Sequence, residues 1–122
     1  MAKNDYYVIA GYILSYLYAC LKEGKTPEES FLSLAAYPAD IPESYRDYVY
    51  IQLERSGYVT GLMWGEVATI EIPKTPILKS FKNAQITPEG IRYLQNDKSI
   101  GKALEVVKNY GSFVLSAISA FK

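Results

Sequence analysis

The chain of 122 residues has no histidine and a single cysteine, Cys20. A disulfide within the chain is therefore excluded. So is a zinc site built from Cys and His, and no imidazole is available as a general base or triad member. The pattern fits a reducing cytoplasm, and Cys20, set in an apolar stretch, is expected to behave as a small buried hydrophobe. A phosphate-cradling glycine loop is also missing: Gly57-Tyr58-Val59-Thr60-Gly61 has no following lysine, and it closes a helix instead of opening one. Apolar runs fall short as well. The longest, residues 6–21, has about sixteen positions where a bilayer span needs roughly 20, and Lys3 is followed at once by Asp5, unlike the basic start of a secretory leader. Serine, threonine and lysine occur without an activating neighbour. The expectation is a cytoplasmic protein that is not an enzyme, takes no cofactor or metal and has no membrane partner.

What the chain does have is tyrosine, twelve residues against four Phe and one Trp. A tyrosine buries a large ring while its hydroxyl seeks water or a partner, so such a chain can pack a core and still offer amphipathic contact surface. Hydrophobic and charged shares of 49% and 21% fit one soluble globular domain, here residues 1–122 with a core at about 5–96. Net charge is zero but unevenly spread. Residues 1–71 carry five basic against ten acidic side chains, a balance of −5, and residues 72–122 carry eight against three, a balance of +5. Kept on separate faces, the second half would attract phosphates or an acidic partner.

Local chemistry punctuates the chain. Asn4 or Asp5 opens a first helix that Gly24 stops. Thr26-Pro27-Glu28-Glu29 reads as a capping box, with Thr26 as the cap, Pro27 at the first helical position and Glu29 at the third; it predicts a second helix to about Tyr37. Pro42 opens a third helix to Ser56, with Gly57 as its left-handed terminator. Its spacing turns Tyr45, Val49, Gln52 and Leu53 inward and Ser44, Asp47, Tyr48, Ile51 and Arg55 outward. Residues 58–64 and 67–72 are strand-like, and Gly65-Glu66 between them predicts the reversal of a hairpin. Pro73 and Pro76 interrupt it, since neither can donate to a ladder. A short strand at 84–86 leads to Thr87, which caps a fourth helix through about Asn96. Ser99 is the predicted cap of a long C-terminal helix over about 99–121. The apolar end of that helix either packs on the first helix or joins two copies in a homodimer.

Three segments in this order resemble the YjcQ-like family of small bacterial and prophage-borne proteins over roughly residues 6–110. They are Glu23-Gly24-Lys25-Thr26-Pro27 after the first helix, Arg55-Ser56-Gly57-Tyr58-Val59 entering the hairpin, and Ile86-Thr87-Pro88-Glu89-Gly90-Ile91-Arg92-Tyr93-Leu94 leaving it. The resemblance implies a winged-helix-like domain and a phage or mobile-element setting, with no established activity. The chain departs from the family in a longer hairpin return, residues 73–83, and in its apolar tail after Tyr110.

The predicted class is thus α+β: a winged-helix-like domain, a helical core with a β-hairpin wing, plus a long C-terminal helix. In that scaffold the third helix enters the major groove and the wing touches phosphate. The leading expectation is a DNA-binding regulator of phage or prophage type that places Ser44, Tyr48, Ile51 and Arg55 on duplex DNA and Lys74, Lys79 and Lys82 on its phosphates. Lys98, Lys102 and Lys108 are further candidates. Against it, the third helix carries two arginines and three acids, a balance of −1. The alternative is a protein-interaction module presenting Tyr48, Tyr50, Ile51 and the wing to a host or phage protein, such as a host enzyme or defence complex that it inhibits.

Overall fold

The computed structural model describes residues 2–66 and 76–107. Helix α1 (Tyr6–Glu23) is the element on which the others rest: β4, α3, α4 and α5 all pack against it. Every residue from Val8 to Leu17 is buried. A helix apolar around its whole circumference has nowhere to sit but inside, and each wholly buried side chain such as Ile9, Ile13 or Leu14 contributes about 1.5–3 kcal/mol by leaving water. The helix begins after Asp5 and stops at Gly24, as its sequence signals predict. Two polar atoms of this core, the Tyr12 hydroxyl and Ser15 Oγ, have no hydrogen-bond partner among the described residues.

Helix α2 departs from expectation. It is a single turn, Glu29–Leu32, and neither Thr26 nor Pro27 lies in it. The Glu28 N–H donates to the Tyr16 hydroxyl at 2.8 Å, so a contact from α1 holds Glu28, extended at φ −84° and ψ 135°, as the residue before the helix, two positions later than the cap expected at Thr26. Two residues past the helix Leu34 is left-handed (φ 66°), and Tyr37 turns inward to donate its hydroxyl to the Lys3 carbonyl at 2.5 Å. These tertiary contacts override the local helix signal before it reaches Tyr37.

Helix α3 (Glu43–Arg55) starts after Pro42 and ends as predicted. Gly57 adopts φ 78°, which a side chain would resist, and this lets the Tyr58 N–H reach back to the Leu53 carbonyl at 2.9 Å. Val49 and Leu53 are buried as expected, whereas Tyr45 and Gln52 are only half-buried. Tyr50, which the protein-interaction alternative presents to a partner, is instead wholly inside, its hydroxyl donating to the Leu32 carbonyl at 2.6 Å and its ring 5.1 Å from that of Phe81. The buried arc of α3 is wider than its apolar spacing implies because α2 and Phe81 cover that flank.

Four short strands follow. β1 (Val59–Thr60) pairs antiparallel with β4 (Gln85–Ile86), and β2 (Met63–Glu66) pairs antiparallel with β3 (Pro76–Ser80). The second register sets Trp64 opposite Leu78 and Gly65 opposite Ile77. Gly65 and Glu66 are therefore strand residues and not the expected reversal, and the returning strand is 76–80, beyond the segment expected to form it. The expected strand at 67–72, with Pro73 and Lys74, lies outside the described residues. Pro76 fits as the first residue of its strand, where a missing N–H is tolerated.

Helix α4 (Pro88–Asn96) is capped as predicted: Thr87 Oγ1 accepts the Gly90 N–H at 3.0 Å and donates to the Gly57 carbonyl at 2.5 Å. A Cβ on Gly90 would collide with the Tyr58 carbonyl oxygen, so only glycine lets α4 approach the end of α3 this closely. Helix α5 (Lys98–Val107) is capped by Asp97, whose Oδ1 accepts the Ile100 N–H at 3.0 Å, and not by Ser99. Asp97 holds the capping position because Lys98 is already helical. The rest of the expected C-terminal helix, Lys108 included, lies outside the described residues. The class is α+β, five helices and two small ladders among the described residues.

Candidate functional site

Four separate elements bring tyrosines to one surface. Tyr6 and Tyr7 come from the start of α1, Tyr45 and Tyr48 from α3, Tyr58 from the turn after α3, and Tyr93 from α4. The Tyr6 ring meets Tyr7 edge-on at 5.3 Å and Tyr48 at 6.3 Å. Tyr58 and Tyr93 lie flat on each other at 4.2 Å with 11° between their planes. Burial first, and then the hydroxyls of Tyr48, Tyr7, Tyr58 and Tyr45, push the Tyr6 hydroxyl above its ordinary value. Burial also raises Tyr93, helped by Asp97 and by Tyr6, Tyr7 and Tyr58. The mutual influence ties the stacked pair to the edge-on group as one cluster.

Tyr7 and Tyr48 are 40% and 53% exposed, which makes them two of the four large hydrophobics on the described surface. Beside the stack lies a shallow, open depression of about 410 Å³ lined by Tyr58, Glu89, Arg92, Tyr93, Asn96 and Asp97. Arg92 and Glu89 pair with each other across one helical turn, both largely exposed. Aromatic rings with polar tips and a rim of charge are the composition of protein-contact surfaces.

The sequence-predicted residues divide into two groups. Ser44, Tyr48 and Arg55 are exposed on the outer face of α3, with Ile51 half-buried beside them. Lys79 and Lys82 are exposed as well, but they border a depression of about 340 Å³ with Pro27 and Glu29. Phe81, next to Lys82, packs on Tyr50 and lies 5.6 Å from the guanidinium of Arg46. Tyr48 is two residues from Arg46, about 200° around the helix at 3.6 residues per turn. The lysines thus go with one side of α3 and Tyr48 with the other, and Lys74 lies outside the described residues. Arg46 is committed internally, its guanidinium 2.9 Å from Asp47 and 3.4 Å from Glu43, which leaves Arg55 as the exposed cation of α3.

Cys20 is buried, and its thiol is raised by that burial, so it is a poor nucleophile at neutral pH. Among the described residues no cluster of three or more Cys, Asp or Glu could hold a metal ion, and no helix is long and apolar enough to cross a membrane. Sequence reasoning missed Tyr6, Tyr7, Tyr58 and Tyr93 as one site. The signal was the tyrosine count, but residues 87 positions apart in the chain, Tyr6 and Tyr93, meet only after folding.

Fold and surface together define a small α+β protein wrapped around one buried helix and presenting a tyrosine-rich face. The family model described as YjcQ protein matches residues 12–111, and the chain belongs to that family. No curated protein and no solved structure matches it.

Proposed function

We propose that this YjcQ-family chain is a non-catalytic, winged-helix-like cytoplasmic protein of phage or prophage type that acts by gripping another protein with its tyrosine face. The order α3, β1, β2, β3, β4, α4 supports the winged-helix reading, with β2–β3 as the wing. One observation carries the choice of partner: six tyrosines from four elements converge on one surface, with Tyr7 and Tyr48 projecting from it. The mobile-element setting implied by the family resemblance suits a small protein that occupies and blocks a host enzyme or defence complex.

The test is affinity capture from host lysate with three baits: the native chain, Tyr7→Ala with Tyr48→Ala, and Lys79→Glu with Lys82→Glu. A partner held by the native and lysine-reversed baits and lost from the tyrosine variant supports the reading. A partner kept equally by the tyrosine variant defeats it.

A second reading, a DNA-binding regulator, is favoured by the exposure of Ser44, Tyr48 and Arg55 along the outer face of the helix that a winged helix lays in the major groove. Mobility shifts on generic duplex DNA decide it. Binding at micromolar protein that weakens steeply with salt supports it, and the absence of any shift removes it. Self-association through the C-terminal apolar stretch is a further partner reading, checked by sedimentation of the full chain.

A further inference from the structure

At the other end of α1 from the tyrosines, three segments enclose a groove of about 490 Å³. Leu17, Cys20 and Leu21 come from the last turns of α1, residues 24–27 from the α1–α2 connection, and residues 82–85 from the approach to and start of β4. Tyr6 and Leu17 are eleven positions apart, about 17 Å at 1.5 Å per residue, so this is not an extension of the tyrosine face. Among the described residues its lining holds two lysines, Lys25 and Lys82, and no acidic side chain, although Glu23 and Glu28 stand near enough outside it to act on the Cys20 thiol. Lys25 has Glu23 at 3.0 Å, but both side chains are well exposed and such a pair is easily exchanged.

The backbone adds a second feature. Thr87 donates its N–H to the Tyr58 carbonyl at 3.0 Å, and Val59 stands opposite Ile86, with Thr60 opposite Gln85. In an antiparallel ladder the hydrogen-bonded pairs alternate, so Thr60 and Gln85 exchange bonds while the N–H and C=O of Ile86 point away from β1. Among the described residues β4 carries no strand on that outer edge. An edge that carries no strand is a template for an added one.

We propose that this groove binds an extended acidic peptide segment of a partner protein. The segment runs along the outer edge of β4, sets an apolar side chain on Leu17 and Cys20, and directs its carboxylates to Lys25 and Lys82. The apolar floor selects against a purely charged peptide, and the two lysines select against a basic one.

The experiment is an amide chemical-shift titration of the full chain with a synthetic Glu-Leu-Glu-Leu-Glu peptide, with its lysine counterpart, and with decanoate as a small amphiphilic anion. Shifts concentrated at residues 24–27 and 82–86 are expected for the acidic peptide. Its affinity is expected to fall about tenfold in the Lys25→Glu, Lys82→Glu double variant, whose exposed positions leave folding intact. No shift, equal binding of both peptides, equal binding by the double variant, or shifts centred on Tyr48 and Tyr93 would each overturn the assignment. So would saturation by decanoate without any response to the acidic peptide.

Discussion

The two ladders that follow α3 have the same strand number and the same antiparallel sense, yet they are held by different means. β1–β4 is built into the frame: Val59 and Ile86 face each other and are buried. Thr87 ties the ladder to both Gly57 and Gly90, and β4 lies on α1. β2–β3 is an arm. Met63 is 55% exposed, and the attachment to the body runs chiefly through Trp64, whose indole N–H donates to Glu54 Oε1 at 3.0 Å, and through buried Leu78 and Phe81. A two-stranded ribbon is marginal by itself. The first ladder therefore inherits the stability of the whole core, while the second depends chiefly on the described side chains at its base.

Alkali is expected to act most strongly, and on the frame. Burial raises the hydroxyls of Tyr12, Tyr16 and Tyr50, Tyr16 to about 12 even though the Glu28 N–H pulls it back. Each holds its proton more tightly folded than unfolded, so stability is full below the ordinary tyrosine value of 10.0 and falls as pH rises above it. The share of tyrosinate absorbance that comes from these three buried rings should appear together with the loss of circular dichroism above that pH. Ionisation of all tyrosines with the helical signal intact would contradict the burial of these three.

Gly90→Val comes next. Its added atoms meet the Tyr58 carbonyl, and a loss of about 3 kcal/mol or more in urea unfolding is expected, since backbone cannot move aside as a side chain can. Thr87→Val removes a cap and a link to Gly57 at nearly constant shape, for about 1–2 kcal/mol. A smaller effect is expected of Trp64→Phe, about 1 kcal/mol or less, with faster amide exchange in β2–β3 and little change in α1. Equal loss of protection in α1 would erase the distinction between arm and frame. Trp64 is the one tryptophan, so its fluorescence in the native chain should shift at lower urea than the helical signal does. The smallest expected change is favourable: Ser15→Ala deletes a buried hydroxyl with no partner among the described residues and should leave the melting temperature unchanged or slightly raised.

The same contrast separates what was legible in the chain from what was not. Gly24, Gly57 and the Thr87-Pro88 pair announced their helix ends because a left-handed φ or a capping oxygen is satisfied within a few residues of itself. Thr26-Pro27 carried an equally good local signal and failed, since Glu28, tied by its N–H to the Tyr16 hydroxyl, is extended and the helix starts only at Glu29. Gly65-Glu66 looked like a turn because glycine permits one, but pairing with residues 76–80 draws it into a strand. Tyr50 sits next to Val49 and could have faced either way. What turned it inward was the Leu32 carbonyl, eighteen positions away.

By itself, then, the sequence determined the elements that close on themselves. These are a first helix too apolar to lie anywhere but inside, the ends of α1 and α3, the capped start of α4, and the family to which the order of these segments belongs. Only the tertiary structure decided which tyrosines gather on one surface and which go into the core, that Lys79 and Lys82 part company with Tyr48 across α3, and that a lysine-flanked groove opens beside β4. The physical reason is range. Caps and glycine turns are satisfied by neighbours a few residues off, whereas a surface is made of residues that become neighbours only when separate elements pack.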